Sequence, residues 1–238
     1  MVRLAARLFC LGACLAFASC ASDQVANRKN TSHTFTTVVV DAGHGGKDSG
    51  AVRRYGPPEK LITLDVARRL NRKLRESQLR TVMTRDSDVF IPLDQRVAIG
   101  NRTPNSIFVS IHFNDSRARR IHGFETYYNS PYARELAQRI QQKLLTASGA
   151  SNRGVRTANF RVIRKATYPS VLVECGFLSN RGEGSKASSD SWREILADKI
   201  SEAIVEERYG AGVYNAQRAP NSIPPTDTAS SSSSAGTR

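Results

Sequence analysis

Residues 38–51 read VVVDAGHGGKDSGA. Val38-Val39-Val40, with Thr36 and Thr37 ahead of them, is a continuous β-branched run. Such a run marks a strand buried on both faces, because a strand wetted on one side alternates. Gly43, Gly45 and Gly46 break the run with a glycine-rich turn around His44, as tight turns require. Downstream, Pro57-Pro58 suits a helix start. Glu59–Ser77 puts Ile62, Val66, Leu70 and Leu74 on one stripe and Arg68, Arg69, Arg72 and Lys73 elsewhere, the pattern of an amphipathic helix. Leu79–Thr84 then reads as a short strand.

The alternation continues outward from this unit. Leu93–Asn101 reads as helix, and Ser106–His112 (SIFVSIH) and Gly123–Tyr128 read as strands. Pro131–Ala147 is predicted helical, with Leu136, Ile140 and Leu144 at four-residue steps. Ser170–Glu174 (SVLVE) is another buried strand and Trp192–Tyr209 a last amphipathic helix. Strands alternating with helices predict an α/β fold, a sheet covered on both faces. No repeat at solenoid spacing is present.

The termini differ in kind from this domain, which spans 35–210. Arg3 and Arg7 precede an apolar run from Leu8 to Phe17. At about ten residues it has the length of an export-signal core and is too short for a spanning helix. Residues 1–19 are expected to be an export signal. Phe17-Ala18-Ser19-Cys20 resembles a lipobox with Phe17 in place of the usual leucine, and cleavage after Ala18 is the competing reading. A lipidated Cys20 would anchor the protein to a membrane. Ala21 is not the aspartate of inner-membrane retention, so the expected location is the periplasmic side of the outer membrane. Residues 20–34 are expected to be a tether, and 211–238, with Pro220, Pro224-Pro225 and a Ser230–Ser234 run, a disordered tail. Of the four cysteines, Cys10 and Cys14 lie in the signal, so Cys20 and Cys175 build no disulfide framework.

The chain of 238 residues is long enough for a substantial core without staples. With 39% hydrophobic and 24% charged residues it is neither collagen-like nor wholly disordered. Lys and Arg number 35 against 21 Asp and Glu; cutting off Arg3 and Arg7 takes the net charge from +14 to +12. The basic character therefore belongs to the mature protein and calls for an anionic partner. The expected export and the lack of a basic-aromatic motif argue against nucleic acid.

Three strands end in groups that carry chemistry: His44 after the first, His112 after Ile107–Ile111, and Glu174 after Val171–Val173. Glu59 opens a helix. In α/β sheets sites form beyond the carboxyl ends of the strands, so these groups can converge. Two histidines and one carboxylate with an open position suit catalytic zinc, and a further carboxylate off the metal suits a general base. A plainer reading is open on the same residues: a tight glycine turn, histidines hydrogen-bonded at strand ends, and a buried, paired Glu174. A phosphate loop is disfavoured because Asp48 follows Lys47.

Six blocks in order decide between them: VVVDAGHGGKDSGA (Val38–Ala51), Glu59, SIHFN (Ser110–Asn114), GFETYY (Gly123–Tyr128), NRGVRTANFRVIR (Asn152–Arg164) and PSVLVECGFLSN (Pro169–Asn180). Over about residues 36–208 the chain resembles the zinc-dependent N-acetylmuramoyl-L-alanine amidases of the amidase-3 type. The resemblance implies a mixed, twisted sheet with helices on both faces, similar to zinc carboxypeptidases. It implies one Zn2+ held by His44, Glu59 and His112, with Glu174 as catalytic base and acid toward a metal-activated water. The implied substrate is peptidoglycan, cut between N-acetylmuramic acid and L-alanine during cell-wall remodelling or daughter-cell separation, by an enzyme expected to be a monomer. A stem-peptide carboxypeptidase or a non-catalytic wall-binding protein are the alternatives. Phe113 and Cys175 depart from the family pattern; Cys175 is expected to be an inert buried thiol. Asn114 is a candidate substrate or supporting contact, and His33 and His122 are expected outside the site. Only 62 positions separate His112 from Glu174. That leaves no room for the helical plug of autoinhibited relatives, so activity without a partner is expected.

Overall fold

The computed structural model describes residues 28–218; the expected signal, Cys20 and the chain beyond 218 lie outside them. Six strands form one mixed sheet: β1 (Thr37–Ala42), β2 (Arg80–Met83), β3 (Ser106–Asn114), β4 (Phe124–Tyr128), β5 (Asn152–Thr157) and β6 (Ser170–Phe177). Their order is β2-β1-β3-β6-β4-β5. The first four in that order run parallel, β4 runs antiparallel to β6, and β5 follows β4. The carboxyl ends of β1, β3 and β6 and the amino ends of β4 and β5 therefore share one edge of the sheet.

One face carries the main core. Val38, Val40, Ile107, Val109, Ile111, Val171 and Val173 pack with the stripe Ile62, Val66, Leu70 and Leu74 of α1 (Glu59–Glu76). The same core takes Leu136, Ile140 and Leu144 of α3 (Arg134–Thr146) and Leu196, Ile200 and Ile204 of α6 (Asp190–Tyr209). The opposite face holds a smaller cluster of Val39, Phe108 and Leu172 with Val162 and Ile163. It is covered by α2 (Leu93–Arg102) and the short α4 (Arg161–Arg164). This second face is incompletely roofed, and the functional side chains lie on it.

The helix expected over 131–147 opens as a 3-10 turn at Pro131–Ala133 before α3; Pro131 suits the first position, where no helical bond needs its amide. Two expectations about the termini change. Residues 28–34 are packed against the domain: Lys29 N donates to Thr167 O at 2.9 Å and Thr31 Oγ1 to Ser106 O at 2.6 Å. Residues 213–218, expected within the disordered tail, form α7 (Val213–Arg218) after the short α5 (Arg181–Ala187) and α6. Tyr214 is 2% exposed and donates its hydroxyl to Asp198 at 2.8 Å. One aromatic ring docked on α6 supplies the burial that the polar stretch otherwise lacks.

Candidate metal centre

The loop Gly43–Ala51 carries His44 from the end of β1 to the amino end of α1. Thr63 Oγ1 of α1 donates to Gly43 O at 2.8 Å, and Glu59 N donates to Ala51 O at 2.9 Å. Two buried arginines hold the loop from below. Arg96 on α2 donates to Ala42 O and His44 O at 2.5 Å each, and Arg85 donates to Ala42 O at 3.0 Å and Gly43 O at 2.7 Å. Held this way, His44 adopts φ +60°, a left-handed conformation that a non-glycine residue occupies only when its surroundings impose it.

His44, Glu59 and His112 meet on this scaffold. Glu59 Oε1 lies 3.0 Å from His44 Nε2 and 3.2 Å from His112 Nδ1. One ligand atom from each residue lies within 4.8 Å of the others. The rings stand edge to face, with centroids 4.9 Å apart. Two imidazole nitrogens and a carboxylate oxygen are a donor set for a divalent cation of the zinc type. Further observations fit such an ion. His44 Nδ1 donates to Asp48 Oδ2 at 2.9 Å, the carboxylate–histidine pairing that turns the other nitrogen toward a metal. Glu59 Oε2 accepts from Ala51 N at 2.9 Å and Oε1 from Phe113 N at 3.0 Å, so two backbone amides fix the carboxylate while Oε1 faces both histidines. The space is tight: a Cβ on Gly43 would lie 2.4 Å from His112 Cε1, and one on Gly50 2.6 Å from Glu59 Oε2.

The two carboxylates beside His44 favour its protonation. Burial opposes it, but the hydrogen bonds and charges of Glu59 and Asp48 raise His44 to about 8. Burial likewise works against the charge of Glu59, and the two histidines outweigh it and hold that carboxyl well below the usual range.

Glu174 pairs with His112 across β3–β6, beside a register shift between His112 and Asn114. Its Oε2 is buried with no hydrogen-bond partner, costly unless a bound group or water satisfies it. Burial is the chief cause that lifts its carboxyl to about 7, with Glu59 and Glu125 adding and His112 and His44 opposing. A carboxyl poised there exchanges protons near neutral pH. A cleft of about 350 Å³ opens beside His44 and His112, lined by Phe90, Ile91, Leu93, Phe160, Val162 and Leu172 among others.

The four residues read from the sequence thus stand together. Asn114 is adjacent, with Nδ2 3.3 Å from Glu125 Oε2. Cys175 is buried, and burial drives its thiol well upward. His122 lies apart, against Ser151. His33 gathers with Glu135 and Glu207 into a second group, but Arg139 already pairs with both carboxylates. The supporting residues Asp41, Asp48, Arg85, Arg96 and Glu125 went unread. Asp41 carried a usable signal, a lone carboxylate inside an apolar strand, which must have a partner. It is fully buried and accepts from Arg96 at 2.8 Å, Ser110 at 2.6 Å and Thr84 at 2.6 Å.

The sequence profile of the N-acetylmuramoyl-L-alanine amidase family, type 3, matches residues 38–206. The N-acetylmuramoyl-L-alanine amidase LytC of Bacillus subtilis is 37% identical over 188 residues, covering 77% of this chain; the chain spans only 38% of LytC's length. The uncharacterized protein YqiI of the same organism is 40% identical over 172 residues, 71% of this chain and 82% of YqiI. Among solved structures, the catalytic domain of the amidase CwlV from Bacillus (Paenibacillus) polymyxa superposes with TM-score 0.68 at 37% identity, covering 72% of this chain and 97% of CwlV's. The amidase AmiC2 of Nostoc punctiforme gives TM-score 0.69 at 37% identity, covering 71% and 95%.

Proposed function

Because the chain belongs to the amidase-3 family of N-acetylmuramoyl-L-alanine amidases, we propose that it hydrolyses the amide joining the lactyl group of N-acetylmuramic acid to L-alanine in peptidoglycan. The observation that carries this reading is the meeting of His44, Glu59 and His112, with Glu174 paired to His112 on the neighbouring strand. A zinc ion held by the three would supply a Lewis acid and make water a better nucleophile at neutral pH. Glu174 accepts the proton of the attacking water and returns it to the departing alanine nitrogen. Its raised affinity for protons suits both halves of that task. Asp48 keeps the proton of His44 on Nδ1, and Arg85 and Arg96 keep the His44 loop in place.

Purified peptidoglycan digested with the protein, with and without a chelator, tests the reading by mass spectrometry. Free stem peptides beginning in L-alanine, lost on chelation and restored by zinc, are expected. Stems shortened only at their carboxyl end would make the protein a carboxypeptidase, and no product with zinc present would leave a partner-dependent enzyme or a wall-binding protein. Glu174→Gln should keep the metal and lose about 10²–10⁴-fold in rate, read by metal content and turnover together.

We also propose activity without a partner, a reading supported by the packing between His112 and Glu174. In that stretch α3 rests on α6 and β4, and α4 on α2. We further propose export by residues 1–19, with lipidation of Cys20 and a role in wall remodelling at the outer membrane. The chain enters the domain near Ser106 and Thr167, at the end of the sheet opposite the metal centre. Fatty-acid labelling lost in Cys20→Ala checks the anchor.

A further inference from the structure

On the far side of Glu174 from the apolar cleft, the edge strand β5 carries two arginines over one carboxylate. Glu125 on β4 stands directly opposite Glu174 in the antiparallel register, and it is buried. Arg156 Nη1 lies 3.4 Å from Glu125 Oε1 and Arg153 Nε 3.6 Å from Oε2. Both arginines thus attend Glu125 loosely, and two guanidiniums facing one carboxylate leave a positive charge over. Arg153 Nε is buried without a hydrogen-bond partner, and its guanidinium rests on the Phe177 ring, 5.1 Å from the centroid. The side chain of Arg156 is 58% exposed, open to a ligand. The register shift between Phe124 and Thr126 falls where β5 carries the two arginines past Glu125.

We propose that Arg153 and Arg156 form a carboxylate subsite, which takes the free α-carboxylate of the second stem residue, the one after L-alanine. This rests on the amidase reading above. The span agrees: β5 is two strands from β6, roughly 10 Å, while two extended residues cover about 7 Å, and an arginine side chain bridges the rest. Charge agrees as well, since the two arginines that line the cleft beside His44 and His112, Arg96 and Arg161, are each already paired with an aspartate, Asp41 and Asp94, whereas the two β5 arginines share Glu125. The apolar side thus receives the glycan end and the β5 side the acidic peptide. Guanidinium–carboxylate pairing is charge-assisted and can be bidentate, which makes the amidation state of that one residue a determinant of turnover.

The test uses the zinc-loaded protein and two N-acetylmuramoyl tripeptides that differ only in a free or an amidated α-carboxylate on the second residue. Wild type should prefer the free acid by about tenfold or more in kcat/KM, carried mostly by KM. Arg156→Ala should bring that preference close to one, and Arg156→Lys should keep part of it, because charge survives without the fork. A wild-type preference below about twofold overturns the subsite and leaves the amidase reading standing. So does an Arg156→Ala enzyme that retains the full preference, or one that loses kcat equally on both substrates with a displaced pH profile. The last pattern would mean that the arginines only balance Glu125. If wild type cuts neither substrate, the amidase reading fails and the subsite with it.

Discussion

At the scale of single residues, the centre depends on side chains that touch no substrate. Asp48 fixes the His44 ring through Nδ1. Asp48→Ala should weaken zinc binding about 10–100-fold, read by competition with a chromophoric chelator, while the unfolding midpoint moves little because Asp48 is on the surface. Gly43 faces the His112 ring so closely that a methyl group has no room. Gly43→Ala should displace His112 and lower metal affinity and turnover together. His44, His112 and Glu174 were legible in the sequence because reactive groups close three apolar strands, and Glu59 because it stands in its place among the motif blocks. Asp48 was not, since an aspartate in a glycine turn is ordinary turn chemistry.

At the scale of elements, two polar braces set the sheet against its helices. Asp41 and Arg96 join β1 to α2 beneath the metal loop. Burial opposes ionisation of Asp41, but Arg96 and the Ser110 and Thr84 hydroxyls outweigh it and hold its carboxyl below the usual range. Breaking a buried pair leaves an uncompensated charge, so Asp41→Ala should cost about 3–5 kcal/mol, measured by denaturant titration. The second brace joins α1 to α6. Glu194 accepts from Arg69 at 2.8 Å and Arg72 at 3.0 Å and pairs with Lys73 at 2.7 Å. Burial raises its pKa, but those three partners together hold it at about 2. Its folded pKa is depressed, so its stabilisation is present above the ordinary glutamate range near 4.5 and lost as pH falls toward 2. Glu194→Gln should remove that part of the acid dependence. The effect should be about 1 kcal/mol, since the side chain is 35% exposed.

At the scale of the whole molecule, the two ends of the sheet have separate work. Metal ligands, Glu174 and the β5 arginines share one end, and the amino-terminal segment packs at the other. The formal charge of +14, still +12 without Arg3 and Arg7, should hold the protein on an anionic polymer by long-range attraction that salt screens. Co-sedimentation with purified wall should therefore fall several-fold between low salt and about 1 M, where the screening length shrinks to about 3 Å. A bound fraction independent of salt would assign retention to the cleft alone.

Strand and helix periods, with the motif blocks, determined the α/β class, the order of the longer helices and the apolar strands between Thr37 and Tyr209, and His44, Glu59, His112 and Glu174 as the residues to watch. These are local facts, written in hydrophobic spacing and in reactive groups at strand ends. β5 escaped that reading because NRGVRT has a single large apolar residue, Val155, and an edge strand needs no more. Likewise α7 escaped because one buried tyrosine makes no period. Tertiary structure alone decided that β4 turns antiparallel to β6 and sets Glu125 beside Glu174, and that Asp41, Arg85 and Arg96 lie under the metal loop. Such pairings join residues tens of positions apart, and they are chosen by which surfaces can be buried together, a quantity that no local pattern carries.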